Sequence, residues 1–391
     1  MEKIKLHDLK RVSTHIQKDL DKAYMDCMNE AKYLRGPQVR KFEEEWIEFT
    51  GAEECATLTS GTDALHTAGI IANIMPGDEV IMPAHTFIST AEAFGNLGAT
   101  LKYVDCKLSD YCIDEDKIEE QITSKTKAIV WTDINGQTPD VDKIVAIAKK
   151  HNITTIDDAA MAHGATYKKR MTGTNADITC FSFGPVKPLG AIGGAGGITG
   201  SQEVCRRARE IRNHGRSVGL VDGSFCADQS RIPRAQRDSI GEQMGWNRNI
   251  HSLQAGFLSA KLPYLNELNE MKRQHAFRYN KHLKDVVQHI PEEQTDRHHV
   301  YHLYSILSNR REELREYLNA VNVESLIHWK IPVNEYPFLT QIDSKSIPVA
   351  KQLTDQTLSL PCHPFLREDE QDYIIEHVKK FYEAPKTPSK G

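Results

Sequence analysis

Apolar positions along this chain change their spacing twice. Up to about residue 50 the sequence is charged and helix-friendly, and 39–50 (VRKFEEEWIEFT) reads as an amphipathic helix entered through a turn at Gly36-Pro37. From about 55 to 200, short apolar runs take over at 79–82 (EVIM), 100–104 (TLKYV), 127–131 (KAIVW), 153–156 (ITTI) and 178–183 (ITCFSF). Helical stretches separate them: Val141, Ile144, Val145 and Ala148 fall at i, i+3, i+4 and i+7, one face of a helix. Strands alternating with helices predict an α/β fold with crossover units and a mostly parallel sheet. Such a sheet places ligands at the carboxyl ends of its strands, so the loops after these runs are where chemistry is sought. Beyond them, 216–240 reads as a long irregular loop and 251–287 as helix-rich. Residues 297–382 form a smaller mixed region whose first strand candidate is 300–307 (VYHLYSIL). The pattern divides the chain into a large domain, 1–248, with an N-terminal helical segment, a small α+β C-terminal domain, 249–384, and a disordered tail, 385–391.

Composition narrows the class. The 391 residues carry a formal net charge of −5, where a dedicated nucleic-acid binder would carry surplus Lys and Arg. A mean hydropathy of −0.50 and no long uncharged apolar run argue against a membrane span. The opening MEKIKLHDLKRV is charged where a signal peptide needs an apolar core. Eight dispersed cysteines (27, 55, 106, 112, 180, 205, 226 and 362) without a C-x-x-C pair read as reduced thiols of a cytoplasmic protein. The reading is a soluble intracellular enzyme.

The chain has no P-loop, no dinucleotide fingerprint and no H-E-x-x-H. His298, His299 and His302 lie close together, but a period-2 strand would split them between faces, and no metal site is read there. The informative stretch is 179–200, TCFSFGPVKPLGAIGGAGGITG, which presents Lys187 just past a strand among glycines. A lysine desolvated there becomes a nucleophilic amine; a solvated loop lysine is the alternative for this segment alone. Three other segments bear on it. Ser60-Gly61-Thr62 enters a helix whose first amides could take a phosphate. Asp157-Asp158 ends a strand candidate, where a buried acid needs a cation such as a pyridinium nitrogen or an arginine. Phe87, in PAHTF, offers an aromatic face. Lysine, carboxylate, phosphate-binding turn and aromatic plate make up a pyridoxal-phosphate site.

From about residue 25 to 382 the sequence resembles the DegT/StrS-type sugar aminotransferases. The likeness runs through RGPQVRKFEEEW, SGTDALH, PAHTFIST, GQTPDVDKI, DDAAMAHGA, FSFGPVK, RNHGR, GWNRNIHSLQAG and LSLPCHP. The resemblance implies an aspartate-aminotransferase-like fold (fold type I), pyridoxal 5′-phosphate as cofactor, and an amino group passed, usually from glutamate, to a keto group of a nucleotide-linked sugar. By resemblance, Lys187 would carry the cofactor and shuttle the proton. Asp158 would pair with the ring nitrogen, and Phe87 would stack on the ring. Gly61, Thr62 and Ser182 would hold the phosphate. Asn247 would reach the phosphate in the neighbouring subunit, which implies a homodimer with shared sites. Two positions depart from the family pattern. Met161 stands where a Gln or His commonly approaches the ring hydroxyl, and residues 193–197 read GGAGG where an acid usually precedes the last glycines. The run KPLGA after Lys187 is closer to members acting on 3-keto than on 4-keto sugars. A cyclitol acceptor, sugar dehydration and a non-catalytic cofactor-binding regulator are the alternatives, though the lysine disfavours the dehydrating branch. An arginine cluster (Arg206, Arg207, Arg209, Arg212, Arg216, Arg231, Arg234, Arg237) reads as a solvated face or as diphosphate contacts. His328-Trp329 falls where relatives place a substrate-facing segment.

Overall fold

The computed structural model describes residues 2–216, 220–221, 224–225, 244–340 and 346–384. The disordered tail read at 385–391 lies outside them, as does most of the loop read at 216–240. Helices α1 (Leu9–His15), α2 (Gln17–Glu30) and α3 (Pro37–Thr50) precede the sheet, and α4 (Gly61–Ile71), α5 (Ile88–Gly95), α6 (Val141–His151) and α7 (Gln202–Ile211) are interleaved with it. Strands β1 (Glu54–Leu58), β2 (Glu79–Pro83), β3 (Thr100–Val104), β4 (Thr126–Thr132), β5 (Thr154–Asp158), β8 (Ile178–Ser182) and β9 (Gly196–Gly200) make one sheet in the order β1-β9-β8-β5-β4-β2-β3; β6 (Thr166–Tyr167) and β7 (Arg170–Met171) form a hairpin outside it. Every strand but β9 points the same way, so six carboxyl ends share one edge. The predicted α/β fold with its mostly parallel sheet is the fold observed.

Local chemistry explains the elements. The apolar runs of β2, β4 and β5 are buried nearly throughout, as strands covered on both faces must be. Asp140 caps α6 by accepting from the Lys143 N–H, and Asn152 ends it in the left-handed region. α3 opens on Pro37 and closes on Gly51 at φ 74°. Its Trp46 packs edge-on against Phe181 at 5.0 Å and Phe183 at 5.2 Å, which locks the helix to the strand leading to Lys187.

Later in the chain, β10 (Leu220–Val221) pairs with β11 (Ser224–Phe225), β12 (Arg297–His298) joins the β6–β7 hairpin, and β13 (Tyr304–Leu307) pairs with β14 (Thr357–Leu360). The strand expected at 300–307 starts only at Tyr304. Tyr301 takes φ 44°, which breaks the extended run, and Val300 N–H donates to Gly136 O at 3.0 Å instead. A separate apolar cluster joins Ile4 to residues of 276–381, and Ile4 N–H donates to Asn322 O at 2.8 Å. Conversely Ile250, Ala255, Leu258 and Leu262 pack with Val39, Phe42 and Trp46. Seven cysteines are free and buried; Cys226 lies outside the described residues. Among the described residues no helix is long and apolar enough to cross a membrane.

Candidate active site

The shared carboxyl edge gathers most of the residues singled out on sequence. β1 runs into Gly61 and Thr62, β2 into Phe87, β5 ends on Asp158 with Met161 just beyond, and β8 ends on Ser182, five residues before Lys187. Asn247 is not gathered with them. It is exposed, bridges to Asn213, and accepts from Asn249 Nδ2 at 3.4 Å.

Asp158 is buried, and burial pushes its carboxyl up. Three contacts oppose this: Thr90 Oγ1 donates to Oδ2 at 2.7 Å, the Lys187 charge is near, and Ala160 N–H donates to Oδ1 at 3.3 Å. Thr90 is itself held by Thr86 Oγ1 at 2.9 Å, which meets Thr132 Oγ1 at 3.0 Å. Asp157 and Asp133 lie beside Asp158, fully buried. Desolvation and neighbouring acid charges raise both well above the carboxylate range, so their neutral forms are favoured. Asp158 differs from them in accepting from Thr90 and Ala160 and in facing the Lys187 charge, and it lacks a hydrogen-bonded cation among the described residues.

Lys187 is half-buried. Desolvation lowers its ammonium below the usual lysine range, and the Asp158 carboxylate partly restores it. The loop around it is braced. Lys187 N–H donates to Gly184 O at 3.0 Å, Ala191 N–H to Phe183 O at 2.9 Å, and Lys261 Nζ to Gly190 O at 2.6 Å. Leu189 N–H donates to His163 Nδ1 at 3.0 Å, which leaves that buried imidazole neutral. A Cβ on Gly190 would lie 2.5 Å from Pro185 O, so only glycine closes this turn. Where GGAGG begins, Ile192 and Gly193 N–H donate to Gln254 Oε1 at 3.0 and 2.8 Å.

At the start of α4, Ser60 caps the helix by accepting from Asp63 N–H at 3.0 Å, and the first amides of such a helix have no intrahelical partner. A Cβ on Gly61 would sit 2.6 Å from Ser182 Cβ, so the two segments meet there. Thr62 Oγ1 donates to Ser89 Oγ at 2.9 Å. Phe87 is half exposed, 6.2 Å from the Trp329 ring, while Met161 is buried. The His328-Trp329 segment thus reaches this edge, with His328 Nδ1 at 2.8 Å from Ser359 Oγ. A bare helix start beside Ser182, a buried carboxylate short of a cation, and a desolvated lysine fit a phosphorylated pyridine.

The arginines of α7 do not form a solvated face. Arg209 and Arg212 are buried against Glu43 and Glu54, and Arg207 donates to the Ile71 carbonyl. Arg206 pairs with Glu203 and Glu210. Arg231, Arg234 and Arg237 lie outside the described residues. Sequence reading missed Thr90 and His163. Both sit inside motifs it had singled out, and Thr90, in the first turn of α5, meets Thr86 just ahead of that helix.

A mostly parallel α/β sheet with a lysine, an acid and a phosphate-type helix start on its carboxyl edge defines a cofactor-dependent enzyme of the aminotransferase kind. The chain belongs to the DegT/DnrJ/EryC1/StrS aminotransferase family, matched over residues 14–379. It is 34% identical over 375 residues to a dTDP-3-amino-3,6-dideoxy-alpha-D-galactopyranose transaminase of Aneurinibacillus thermoaerophilus, covering 96% of this chain and 98% of the relative. It is 33% identical to a UDP-2-acetamido-2-deoxy-3-oxo-D-glucuronate aminotransferase of Pseudomonas aeruginosa, covering 93% and 96%. The structure of NtdA from Bacillus subtilis with bound cofactor PMP superposes with a TM-score of 0.85 at 26% identity, covering 98% of this chain and 86% of that one.

Proposed function

We propose that this protein is a cytoplasmic, homodimeric aminotransferase that moves an amino group from glutamate onto the C3 keto group of a nucleotide-linked sugar. The enzyme is a transaminase and its cofactor is pyridoxal 5′-phosphate. When bound, that cofactor supplies an electron sink that acidifies the C–H of an attached amine. This chain's residues do the rest. Lys187 carries the cofactor and, lowered by desolvation, exchanges a proton with the substrate carbon. Asp158 stays ionised against the ring nitrogen with Thr90 behind it. Gly61 and Thr62 amides and Ser182 hold the phosphate, Phe87 covers one ring face, Met161 borders the ring hydroxyl, and Asn247 completes the partner's site. In this reading residues 1–248 form the cofactor-binding domain and 249–384 the small one.

The observation that carries the proposal is the placing of Lys187 and the buried Asp158 on the carboxyl edge of the sheet, beside the helix start where Gly61 meets Ser182. Relatives named for 3-amino and 3-oxo sugars support the regiochemistry. The test is a half-reaction. Glutamate should remove the visible band of the purified protein and release 2-oxoglutarate, and a nucleotide-linked 3-keto sugar should restore the band faster than its 4-keto isomer. An unchanged spectrum with glutamate overturns the donor, and faster recovery with the 4-keto sugar overturns the regiochemistry.

A further inference from the structure

A cavity of about 240 Å³ opens between α1, the loop carrying Lys187, and the helix Leu265–Leu283. Its walls are one-sided in charge. Lys272, on that helix, is only 5% exposed, and its ammonium has no hydrogen-bond or ion-pair partner among the described residues. Burial brings it down to about 8. His302 and His363 are buried on the same wall, with His363 Nδ1 unpartnered, and His7 stacks on His302 at 5.7 Å. The one carboxylate of the lining, Asp8, is engaged by the Arg11 N–H at 3.2 Å and by Arg11 Nε at 3.4 Å. Burying an ammonium without an acceptor, beside an imidazole whose Nδ1 is unpartnered, is costly unless a ligand supplies the partner. The volume is below the roughly 300–1,000 Å³ of sites for drug-sized ligands, which suits a small acid and not a whole nucleotide.

We propose that this cavity is a carboxylate subsite, in which Lys272 with His302 holds the acid group of a substrate whose reacting carbon lies at Lys187. The proposal rests on the transaminase reading. The acid has two possible sources, the amino-acid donor or an acidic sugar. A carboxylate there gives Lys272 the counter-ion it lacks, and a charge-assisted hydrogen bond formed out of water is strong and directional.

The test compares cofactor-loaded wild type, Lys272→Met and Lys272→Arg, each first shown to keep the visible band. Glutarate, which has two acid groups and no amine, is titrated calorimetrically, and the glutamate half-reaction is followed spectroscopically. If the donor is the source, Lys272→Met weakens glutarate binding and raises the KM for glutamate at least about tenfold with the limiting rate little changed, and Lys272→Arg restores most of both. If the sugar is the source, both donor readings stay at wild type, and the KM for a nucleotide-linked keto-uronate rises at least about tenfold relative to the neutral keto hexose. Should Lys272→Met not fold, His302→Gln is read instead and moves the same quantity in the same direction. Wild-type values in all three readings overturn the subsite. A wild type whose band ignores amino donors overturns the transaminase reading instead.

Discussion

Thr90 Oγ1 donates to Asp158 Oδ2 at 2.7 Å, so a hydroxyl on α5 steadies the acid that ends β5. Burial raises the Asp158 carboxyl, and Thr90 is the first of the contacts that lower it. Removing the hydroxyl therefore raises it further, and the carboxylate is lost at a higher pH as pH falls. Thr90→Val should cut kcat about 10- to 100-fold, as expected for losing a hydrogen bond to a charged group. It should also move the acid limb of the kcat profile upward, and Thr90→Ser should keep both near wild type. An unmoved limb in Thr90→Val would separate Thr90 from the titration of Asp158.

The meeting of Gly61 with Ser182 allows a test by strain and relief. A Cβ at residue 61 would lie 2.6 Å from Ser182 Cβ. Gly61→Ala should destabilise by about 1–3 kcal/mol, as overpacking does. In a double-mutant cycle, Ser182→Gly should recover much of the lost melting temperature. Additive losses would mean that the contact does not cause the strain.

Glu43 ties α3 to the sheet and to α7. Its Oε1 accepts from Thr57 N–H at 2.8 Å and from Arg212 Nη1 at 2.7 Å. Burial alone would raise its carboxyl, but the charges of Arg212 and Arg209 and the Thr57 amide hold it below the usual range. The stability it contributes is present above its unfolded value and lost as pH falls through the folded one. Glu43→Ala leaves two buried guanidinium groups short of an acceptor and should cost about 3–5 kcal/mol in urea unfolding at pH 7. A loss under about 1 kcal/mol would show the arginines re-paired elsewhere.

His85 gives the protein an acid liability of its own. Burial first, and the charge of His328 second, lower it from 6.5 to about 4. The unfolded chain binds this proton more readily, so the contribution is intact above 6.5 and fades between 6.5 and 4, by at most about 1.4 kcal/mol per pH unit. The urea midpoint should fall from pH 7.5 to pH 5, and His85→Gln should narrow that fall. An identical fall in the variant would assign the acid sensitivity to other groups.

Apart from β1, the parallel strands and α6 were legible because turns bound their apolar runs or faces, as in EVIM and KAIVW. β9 was not. GGITG carries almost no side-chain signal, and it is a strand because it lies between β1 and β8. There the Ser60 carbonyl leaves no room for a Cβ at Gly196. At the site, residues inside contiguous motifs were readable, Lys187 and Asp158 among them. Thr90 and His163 lie in such motifs yet went unread, because their partners Asp158 and Leu189 come from other segments, and Lys272 lies outside every motif. Arg209 and Arg212 misled for the same reason: their charge suggested solvent, while Glu43, on a helix some 170 residues earlier, buries them.

The central claim is that Lys187 carries the cofactor opposite Asp158. Borohydride reduction of the purified protein followed by peptide mass mapping tests it most directly. Reduction should remove the visible band and leave one phosphopyridoxyl group, located on Lys187, with Lys187→Ala unlabelled and inactive. A label on Lys272 or Lys261, or full turnover by Lys187→Ala, would contradict it.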